Sequence, residues 1–363
     1  MTTRAPRVVI AAGGTAGHVV PAIAVADALR AEGAEVTFVG GERAEAELIP
    51  QAGYELDQLD VEGLSRTNPL KAARALAKAG AAVVQARKIL KRRQADAVLG
   101  GGGYVAGPVG LAAVLTQTPL VLAEADSHLG ISNRALAGRA RRVCLAFPLE
   151  GRTSPRYLVT GRPVPPKVSD RALARAQLGI EPDETCVLVF GGSLGARSIN
   201  HAAPDAFKDA PYRVVHVAGT RDYPDLTSPG PHYVLLDYLT PFGVALAASD
   251  VAVGRSGGSV FELAQYALPS VLIPYPHASA DHQSSNAKWM ADAGAARILP
   301  DAELTPQRLR EATDAVLLDR AAMSPAALSL ARPDAARDIA REILASVEDR
   351  RGLQPPGRRE EAV

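Results

Sequence analysis

The chain of 363 residues has only two cysteines, a single tryptophan and 4% aromatic residues. Cys144 and Cys186 lack the spacing of metal ligands, so the sequence predicts neither a disulfide framework nor a structural metal site. No apolar run has transmembrane length and no signal-peptide pattern precedes the first strand, so we expect a protein of the reducing cytosol. The chain is instead rich in Ala, Val and Leu, as buried parallel strands and their covering helices are.

A strong net charge is also absent, because 40 basic residues nearly balance 39 acidic ones. One segment departs from this balance, since nine basic residues and no acidic one lie between Glu62 and Asp96. They alternate with apolar residues over a predicted helix, which is typical of helices that bind anionic surfaces. We therefore predict that residues 66–93 contact an anionic membrane surface, with a plain solvated helix face as the alternative. Nucleic acid is not an expected partner, because no aromatic platform accompanies the charge.

Strand-like and helix-like segments alternate along nearly the whole chain. This order is typical of α/β domains in which helices cover both faces of a parallel sheet. The helices include predicted segments at 107–115 and 306–317. A proline-rich stretch divides the alternation into two halves. We predict Rossmann-like domains at 1–161 and 169–333, a linker at 162–168, a helix at 334–350 that packs back on the N-terminal domain, and a disordered tail at 351–363.

A glycine-rich loop occurs twice, each time between an apolar strand and a helix. The first copy is GGTAGH at residues 13–18, and the second is GGSLG at residues 191–195. Such a loop leaves backbone N–H groups pointing at one spot, near the positive end of a helix dipole. Each copy is therefore a candidate phosphate site, although a single loop also fits a tight turn without a ligand.

Three side chains near predicted strand ends are suited to chemistry. His18 lies at a helix start, where the dipole should disfavour the imidazolium and leave a neutral base; a histidine that only caps the loop is the alternative. Glu262 lies one turn into a helix and is well placed for ribose hydroxyls, or it only complements the helix dipole. Gln283 lies near the same sheet edge and suits sugar hydroxyls.

Five motifs, taken in order, resemble those of the MurG family of glycosyltransferases. They are GGTAGHVVP at 13–21, GGGYVAGP at 101–108, GGSLGAR at 191–197, RSGG at 255–258 with Glu262, and DHQ at 281–283 with Asn286. The similarity covers roughly residues 6–347. The resemblance implies an α/β protein with the GT-B fold, in which two Rossmann-like domains with parallel sheets face each other across a cleft.

The resemblance also implies an activity, the inverting transfer of N-acetylglucosamine from UDP-GlcNAc to lipid I. The acceptor is the 4-hydroxyl of the muramoyl group in this polyprenyl-diphosphate-linked peptide, and the product, lipid II, serves peptidoglycan synthesis and cell division. The enzyme would be peripheral, at the cytoplasmic face of the cell membrane, and would need no metal or other cofactor.

The resemblance assigns roles to particular residues. His18 would be the catalytic base. Ser193 would meet the donor diphosphate, Glu262 the uridine ribose and Leu239 the uracil, whereas Gln283 would hold the sugar. The full donor-binding set would be Thr15, Ala16, Gly17, Asp126, Arg162, Ser193, Leu239, Gly258, Ser259, Glu262 and Gln283. The acceptor-binding set would be Gly14, Thr15, His18, Gly103 and Tyr104.

Three departures from the family motifs leave the donor sugar open. Asp126 ends an AEAD segment where the family has HEQN, and an ionised carboxylate accepts hydrogen bonds but cannot donate them. GRPVP at 161–165 replaces GNPVR, so that the usual arginine is missing and Arg162 stands three residues earlier. The turn at 255–259 is one residue shorter.

Three alternatives remain open from the sequence. The first is a related GT-B transferase with another sugar nucleotide or a different lipid or natural-product acceptor. The second is an NAD-dependent or other nucleotide-binding protein, although the first loop is GGxxG rather than GxGxxG, and the second loop and Glu262 would then have no role. The third is a membrane scaffold without catalysis, which the altered segment 123–126 favours.

Overall fold

The alternating apolar strands and helices form two parallel sheets in the structure. The structure is a computed structural model that describes residues 4–61, 69–192, 194–278 and 281–352, with only the backbone for 69–77 and 79. The chain divides into two units, one containing residues up to Val164 and from Pro333 onward, the other containing Pro165–Arg332. The predicted linker is therefore split, because residues 162–164 group with the first unit and 165–168 with the second.

The first unit is built on a seven-stranded parallel sheet of order β3-β2-β1-β4-β5-β6-β7. Its strands are β1 (Arg7–Ala11), β2 (Glu35–Gly40), β3 (Glu55–Gln58), β4 (Ala97–Gly100), β5 (Leu120–Glu124), β6 (Arg142–Leu145) and β7 (Tyr157–Val159). Its helices include α1 (Ala16–Ala31), α2 (Ala44–Gln51), α3 (Pro69–Arg92), α4 (Gly103–Leu115) and α5 (Ile131–Leu136). The strand order reverses direction beside β1, which is where α/β sheets bind ligands.

The second unit repeats this plan with a six-stranded parallel sheet of order β10-β9-β8-β11-β12-β13. Its strands are β8 (Cys186–Phe190), β9 (Arg213–Val217), β10 (Tyr233–Leu236), β11 (Val251–Gly254), β12 (Ser270–Leu272) and β13 (Ala296–Ile298). Its helices are α6 (Arg171–Gln177), α7 (Arg197–Phe207), α8 (Gly243–Ala248), α9 (Val260–Gln265), α10 (His282–Asp292) and α11 (Pro306–Ser329). The prediction of two Rossmann-like α/β domains with parallel sheets is confirmed.

The last described helix, α12 (Ala335–Arg351), returns to the first unit. Its residues Ile339, Ile343 and Val347 are buried in the same apolar cluster as Ile10 of β1. Val9 of β1 belongs to a second cluster with α3 and α4, since successive residues of a strand point to opposite faces of the sheet. Helices therefore cover both faces of this sheet, as continuous apolar strands require.

Two elements were missed, and several others begin or end at residues different from those predicted. The edge strand β3 (ELDQ) was missed because it has one apolar residue in four. Helix α6 was missed although Asp170 caps it, accepting a hydrogen bond from the backbone N–H of Leu173 at 2.9 Å. Helix α4 begins at Gly103 rather than at residue 107. Helix α11 continues to Ser329 through Pro325, because buried Met323 and Ala327 extend its packed face.

The predicted tail at 351–363 begins too early. Arg351 is the last residue of α12, and its guanidinium donates a hydrogen bond to Asp96 at 2.7 Å. Residues 353–363 lie outside the described residues. Among the described residues, no helix is both long enough and apolar enough to span a bilayer.

Candidate active site

The first glycine loop joins β1 to α1 at the centre of the first sheet. Gly14 has φ of 109°, Thr15 is the N-cap residue and the helix begins at Ala16. The backbone N–H groups of Thr15, Ala16 and Gly17 have no acceptor among the described residues. Free N–H groups at a helix start favour an anionic ligand.

A second glycine segment, residues 101–103 after β4, packs directly against this loop. The two strands pair with Ala11 opposite Gly100, so both loops leave the same edge of the sheet side by side. A Cβ at Gly103 would lie 1.8 Å from the carbonyl oxygen of Gly13. A Cβ at Gly102 would lie 2.5 Å from Cδ2 of His18. Glycine at both positions therefore allows the loops and the imidazole to pack closely.

His18 is the third residue of α1 and is partly buried. Its Nδ1 lies 3.5 Å from Oγ1 of Thr15, and no described residue hydrogen-bonds Nε2. Burial lowers the pKa of His18 below its usual value; Asp126 opposes this shift, and Arg162 adds to it. The direction agrees with the sequence argument, but burial rather than the helix dipole is the main cause. At neutral pH the imidazole is therefore available as a proton acceptor.

Arg162 connects two loops of the first unit. Its guanidinium donates hydrogen bonds to the carbonyl oxygen of Gly17 at 2.6 Å and to that of Ala125 at 3.3 Å. The helix start that carries His18 is thereby joined to the loop that carries Asp126. The arginine that is displaced relative to the family motif thus contacts both the first glycine loop and the loop that carries the substituted Asp126.

The loop after β5 is organised by Glu124, which is buried. This carboxylate accepts hydrogen bonds from the backbone N–H groups of Gly130 at 2.8 Å and Asp126 at 3.2 Å, and from the Asn133 amide at 2.9 Å. Burial raises the pKa of Glu124, and these hydrogen bonds oppose the rise. Glu124 therefore fixes the position of Asp126 relative to β5.

Glu45, near the start of α2, was not singled out from the sequence, yet it lies at the centre of this loop cluster. Its side chain is fully buried. Oε2 accepts a hydrogen bond from the Gly14 N–H at 2.8 Å, and Oε1 accepts from the Gly41 N–H at 3.0 Å. A glutamate in the first turn of a helix is so common that its sequence position alone carries no signal.

Tyr104 is the second residue of α4 and donates its hydroxyl proton to Oε1 of Glu45 at 2.7 Å. Burial, with the hydrogen bond to Glu45, raises the pKa of Tyr104 to about 12. The phenol therefore stays protonated and cannot serve as a base near neutral pH. The structure brings together the predicted residues Gly14, Thr15, Ala16, Gly17, His18, Gly103, Tyr104, Asp126 and Arg162.

In the second unit, the glycine loop lies between β8 and α7. Gly192 and Gly195 have φ of 91° and 78°. A Cβ at Gly195 would lie 2.0 Å from the carbonyl oxygen of Ala218, so this close approach requires glycine. Ser193, predicted to meet the donor diphosphate, lies outside the described residues.

The loop after β11 lies beside the second glycine loop, because β8 and β11 pair with Phe190 opposite Gly254. Arg255 holds this loop by donating to the carbonyl oxygen of Ile273 at 3.0 Å and to the carboxylate of Asp301 at 2.6 Å. Gly258 and Ser259 follow and are partly exposed at the start of α9.

Gln283 is placed against the same loop. Its carbonyl oxygen accepts from Ser256 Oγ at 2.7 Å, and its side-chain Oε1 accepts from the Tyr275 N–H at 3.0 Å. The side chain therefore offers its NH₂ group, as a donor, to a ligand. This orientation could not be derived from the sequence, because it depends on the backbone at Tyr275.

Two further residues, Glu262 and Leu239, were predicted to bind the sugar-nucleotide donor. Glu262 is in the first turn of α9, and its side chain is half-buried. Leu239 follows β10, which is separated from β8 by β9. At about 4.8 Å per strand, Leu239 therefore starts about 10 Å from the second glycine loop along the sheet. No group of three or more His, Cys, Asp or Glu in the described part of the chain is arranged to hold a metal ion.

Two doubly wound parallel sheets, each with a glycine loop at its switch point, form the GT-B architecture, and the family models assign the protein to the glycosyltransferases of this type. The model of the N-terminal domain of glycosyltransferase family 28 matches residues 8–145, and that of the C-terminal domain matches residues 186–342. The chain belongs to glycosyltransferase family 28 and, within it, to the MurG group.

Curated relatives match along nearly their whole length. A protein of Moorella thermoacetica is 40% identical, and the match covers 94% of this chain and 99% of that protein. One of Salinibacter ruber is 38% identical over 95% of this chain and 98% of that protein. Both are named UDP-N-acetylglucosamine--N-acetylmuramyl-(pentapeptide) pyrophosphoryl-undecaprenol N-acetylglucosamine transferase.

Solved structures give the same picture. Acinetobacter baumannii MurG is 30% identical, with a TM-score of 0.77 over 94% of this chain and 99% of that one. The glycosyltransferase of kitacinnamycin, at 18% identity and a TM-score of 0.71 over 97% of this chain and all of that one, shares the fold alone.

Proposed function

We propose that this protein transfers N-acetylglucosamine from UDP-GlcNAc to the muramoyl 4-hydroxyl of lipid I, with inversion at the anomeric carbon. The proposal is supported by relatives of that name which match this chain along nearly their whole length. The observation that carries the chemistry is His18, a neutral imidazole beside a loop of free backbone N–H groups. A base and an anion site side by side suit an acceptor that carries both a hydroxyl and a diphosphate.

In the proposed reaction, Nε2 of His18 removes the proton of the acceptor hydroxyl. The oxygen forms a bond to C1 of the sugar as the bond from C1 to the UDP oxygen breaks, on the opposite face. The transition state has oxocarbenium character, and the leaving UDP gains negative charge. Backbone N–H groups of the loop at 191–195 stabilise that charge, so no metal is needed. His18 then releases its proton to solvent.

The donor is held mainly by the second unit in this proposal. Ser193 meets the diphosphate, Glu262 the ribose and Leu239 the uracil. The Gln283 NH₂ group donates to a sugar hydroxyl or to the acetyl oxygen, with Gly258 and Ser259 beside it. Asp126 and Arg162 complete the donor set from the first unit, whereas Thr15, Ala16 and Gly17 face the acceptor diphosphate and the junction between the two substrates.

Transfer to a soluble lipid I analogue, measured with radiolabelled UDP-GlcNAc, tests the proposal. We expect turnover in the presence of EDTA, and a loss of about 10²–10⁴-fold in kcat for His18→Ala, the contribution typical of a general base. Wild-type turnover in His18→Ala would remove His18 as the base. A strict need for added Mg²⁺ would remove the metal-free mechanism.

Asp126 favours one alternative, a GT-B transferase with another sugar nucleotide or acceptor. The carboxylate replaces an amide of the family motif, which removes two hydrogen-bond donors from the donor side. A panel of nucleotide sugars compared by thermal shift distinguishes the two readings. UDP-GlcNAc should give the largest stabilisation, and a larger effect of another nucleotide sugar would favour the alternative.

We also propose that the protein binds the cytoplasmic face of the cell membrane through α3 and α4. Arg87, Lys88, Lys91 and Arg350 line a groove of about 640 Å³. The apolar side chains of Val84 and Leu115 are 55% and 53% exposed on the same two helices. Cations around exposed aliphatic groups suit an anionic lipid surface.

Not all of the predicted basic segment belongs to this face. Arg92 and Arg93 form ion pairs with Asp57 at 2.6 and 2.8 Å, and Lys78 pairs with Asp60 at 2.7 Å. Arg66 lies outside the described residues, as do the side chains of Lys71 and Arg74. The proposed membrane contact is therefore narrower than the segment 66–93.

A further inference from the structure

The carboxylate of Glu45 collects three hydrogen bonds from three separate segments of the first unit. Oε2 accepts from the Gly14 N–H at 2.8 Å, and Oε1 accepts from the Gly41 N–H at 3.0 Å and the Tyr104 hydroxyl at 2.7 Å. The donors follow β1, β2 and β4, which are neighbours in the sheet. One side chain therefore joins the loops at three adjacent strand ends.

The surrounding glycines are the ones that make room for this carboxylate. A Cβ at Gly13 would lie 2.8 Å from Oε1 of Glu45, and one at Gly40 would lie 2.8 Å from its Cγ. At Gly41 a Cβ would lie 2.0 Å from the Tyr104 hydroxyl. The glycines next to Glu45 therefore allow the buried carboxylate and the phenol to approach the backbone.

A buried carboxylate is costly unless its hydrogen bonds are made, and an apolar side chain would fill the space at lower cost. Burial alone would raise the pKa of Glu45, but the hydrogen bonds from Gly14, Tyr104 and Gly41 outweigh it and hold the pKa below its usual value. Glu45 is therefore ionised at neutral pH, and all three donors point at a full negative charge.

The carboxylate of Glu45 binds one N–H group of the first glycine loop and leaves those of the next three residues without an acceptor among the described residues. The Gly14 N–H is occupied by Glu45, whereas those of Thr15, Ala16 and Gly17 have no acceptor among the described residues. The Tyr104 proton is likewise committed to Glu45, so the phenol oxygen can only accept hydrogen bonds from a ligand.

We propose that Glu45 is a positioning residue for acceptor binding, which shapes the first glycine loop and orients Tyr104. By holding Gly14 and Tyr104 it leaves the N–H groups of residues 15–17 aimed at the acceptor diphosphate. This inference rests on the proposed function, because the acceptor is the diphosphate-linked substrate named there. Glu45 itself touches neither substrate in this account.

The variant Glu45→Gln should lose one of the three hydrogen bonds of Glu45 and keep the other two. Its amide oxygen can keep the two donors at the Oε1 position, and its NH₂ group then faces the Gly14 N–H, where two donors oppose each other. The Gly14 contact is lost and the loop shifts. Tyr104→Phe removes the phenol proton and leaves Gly14 bound. Glu47→Gln, on the exposed face of the same helix, is the matched control.

We expect Glu45→Gln to raise the acceptor KM at least about 10-fold, because small misplacements of a binding group are costly. The donor KM should change less than about 2-fold, since the donor is held mainly by the second unit. Glu47→Gln should match wild type in both values. The double variant Glu45→Gln/Tyr104→Phe should be no worse than the poorer single variant, as for residues that act as a unit.

Amide hydrogen exchange gives a readout that does not depend on turnover. The Gly14 N–H should be protected in wild type and in Tyr104→Phe, and should exchange faster in Glu45→Gln. Rapid exchange of Gly14 in wild type would overturn the inference even if Glu45→Gln fails to fold.

Other results would also overturn it. They are an unchanged or lower acceptor KM in Glu45→Gln, an equal rise in donor and acceptor KM, or fold-changes that multiply in the double variant. If the wild-type protein transfers nothing to lipid I analogues, the proposed function fails instead, and the exchange of Gly14 decides whether Glu45 holds the loop.

Discussion

His18 is under two opposite electrostatic influences from its own unit. Burial lowers its pKa, the Asp126 carboxylate raises it, and the Arg162 guanidinium lowers it. Both charged residues are substitutions relative to the family motif described above. The pair places one charge of each sign around the base, so the altered motifs keep the local charge balanced.

We predict that neutralising these two residues shifts the acid limb of the pH profile in opposite directions. In wild type, kcat/KM should rise with pH through an apparent pKa below the usual value of 6.5. Asp126→Asn removes a charge that raises the pKa of His18, so the limb moves to lower pH. Arg162→Gln moves it to higher pH, and Arg162→Lys, which keeps the charge, should stay near wild type. Shifts of both neutral variants in one direction would contradict this account.

The same pKa has a consequence for stability. Because the pKa of His18 is lower in the folded protein, protonating this residue costs more in the folded protein than in the unfolded chain. The free energy of unfolding is therefore unaffected by His18 protonation above pH 6.5 and falls as the pH drops below that value. In His18→Gln, the dependence of the free energy of unfolding on pH should be weaker just below pH 6.5, as measured by urea unfolding.

Gly102 allows a third prediction at the residue scale. Its φ is 98°, and a Cβ would lie 2.5 Å from His18. Gly102→Ala should therefore displace the imidazole and lower kcat by about 10²-fold. Gly33→Ala is the control, since Gly33 has φ of 82° with open space around it. Gly33→Ala should lose about 1–2 kcal/mol of stability from backbone strain and Gly102→Ala more than that, because its Cβ also meets His18, but only Gly102→Ala should lose activity.

At the scale of elements, α3 has two different basic faces. Arg92 and Arg93 pair with the acidic edge strand β3, whereas no ion pair joins Arg87, Lys88 or Lys91 to any residue that the structure describes. The basic residues on one face of α3 are held by ion pairs with β3, so those on the other face remain available to bind an anionic partner. The sequence showed the excess charge but not this division, because β3 was itself missed.

Replacing Arg87, Lys88 and Lys91 together by Gln should weaken binding to vesicles that contain phosphatidylglycerol. At about 1 kcal/mol per cation, the loss is roughly 100-fold in partitioning. The control is a triple Gln variant of Lys288, Arg297 and Arg308, which removes the same charge from exposed sites in the second unit. Equal loss in both triple variants, measured by cosedimentation, would show a net-charge effect rather than a binding face.

At the scale of the whole molecule, the last helix belongs to the first unit although it follows the second in sequence. Ile343 of α12 has no exposed surface and packs in the cluster that contains Ile10. The only tryptophan, Trp289, lies in the second unit, where its ring centroid is 5.0 Å from that of Phe261. Tryptophan fluorescence therefore reports on the second unit, and circular dichroism reports on both.

Ile343→Ala should destabilise the first unit by about 2–5 kcal/mol, the usual cost of such a cavity. The circular dichroism transition should then begin at a lower temperature, while the Trp289 fluorescence transition stays in place. Leu318→Ala, at a position that is 85% exposed on α11, should change neither transition. A matching shift in fluorescence for Ile343→Ala would mean that the two units unfold together.

Most of the fold could be predicted from the sequence because short local patterns indicate the individual strands and helices. Twelve of the thirteen strands were predicted, since buried parallel strands are continuous apolar runs, and β3 (ELDQ) is the exception. Helix α11 was predicted too short because Pro325 signals an end, whereas buried Met323 and Ala327 extend the packed face. Local signals indicate an element, but tertiary contacts decide where it stops.

The sequence by itself determined the two parallel-sheet domains, the family and the two glycine loops, because strand patterns and glycine positions are written locally along the chain. The tertiary structure decided which hydrogen-bond donors remain free to bind a ligand. Glu45 occupies Gly14 from 31 residues away, Arg162 reaches Gly17 across 145 residues, and Tyr275 fixes the Gln283 amide. Hydrogen bonds between distant segments depend on how the strand ends are brought together, and no local pattern encodes that.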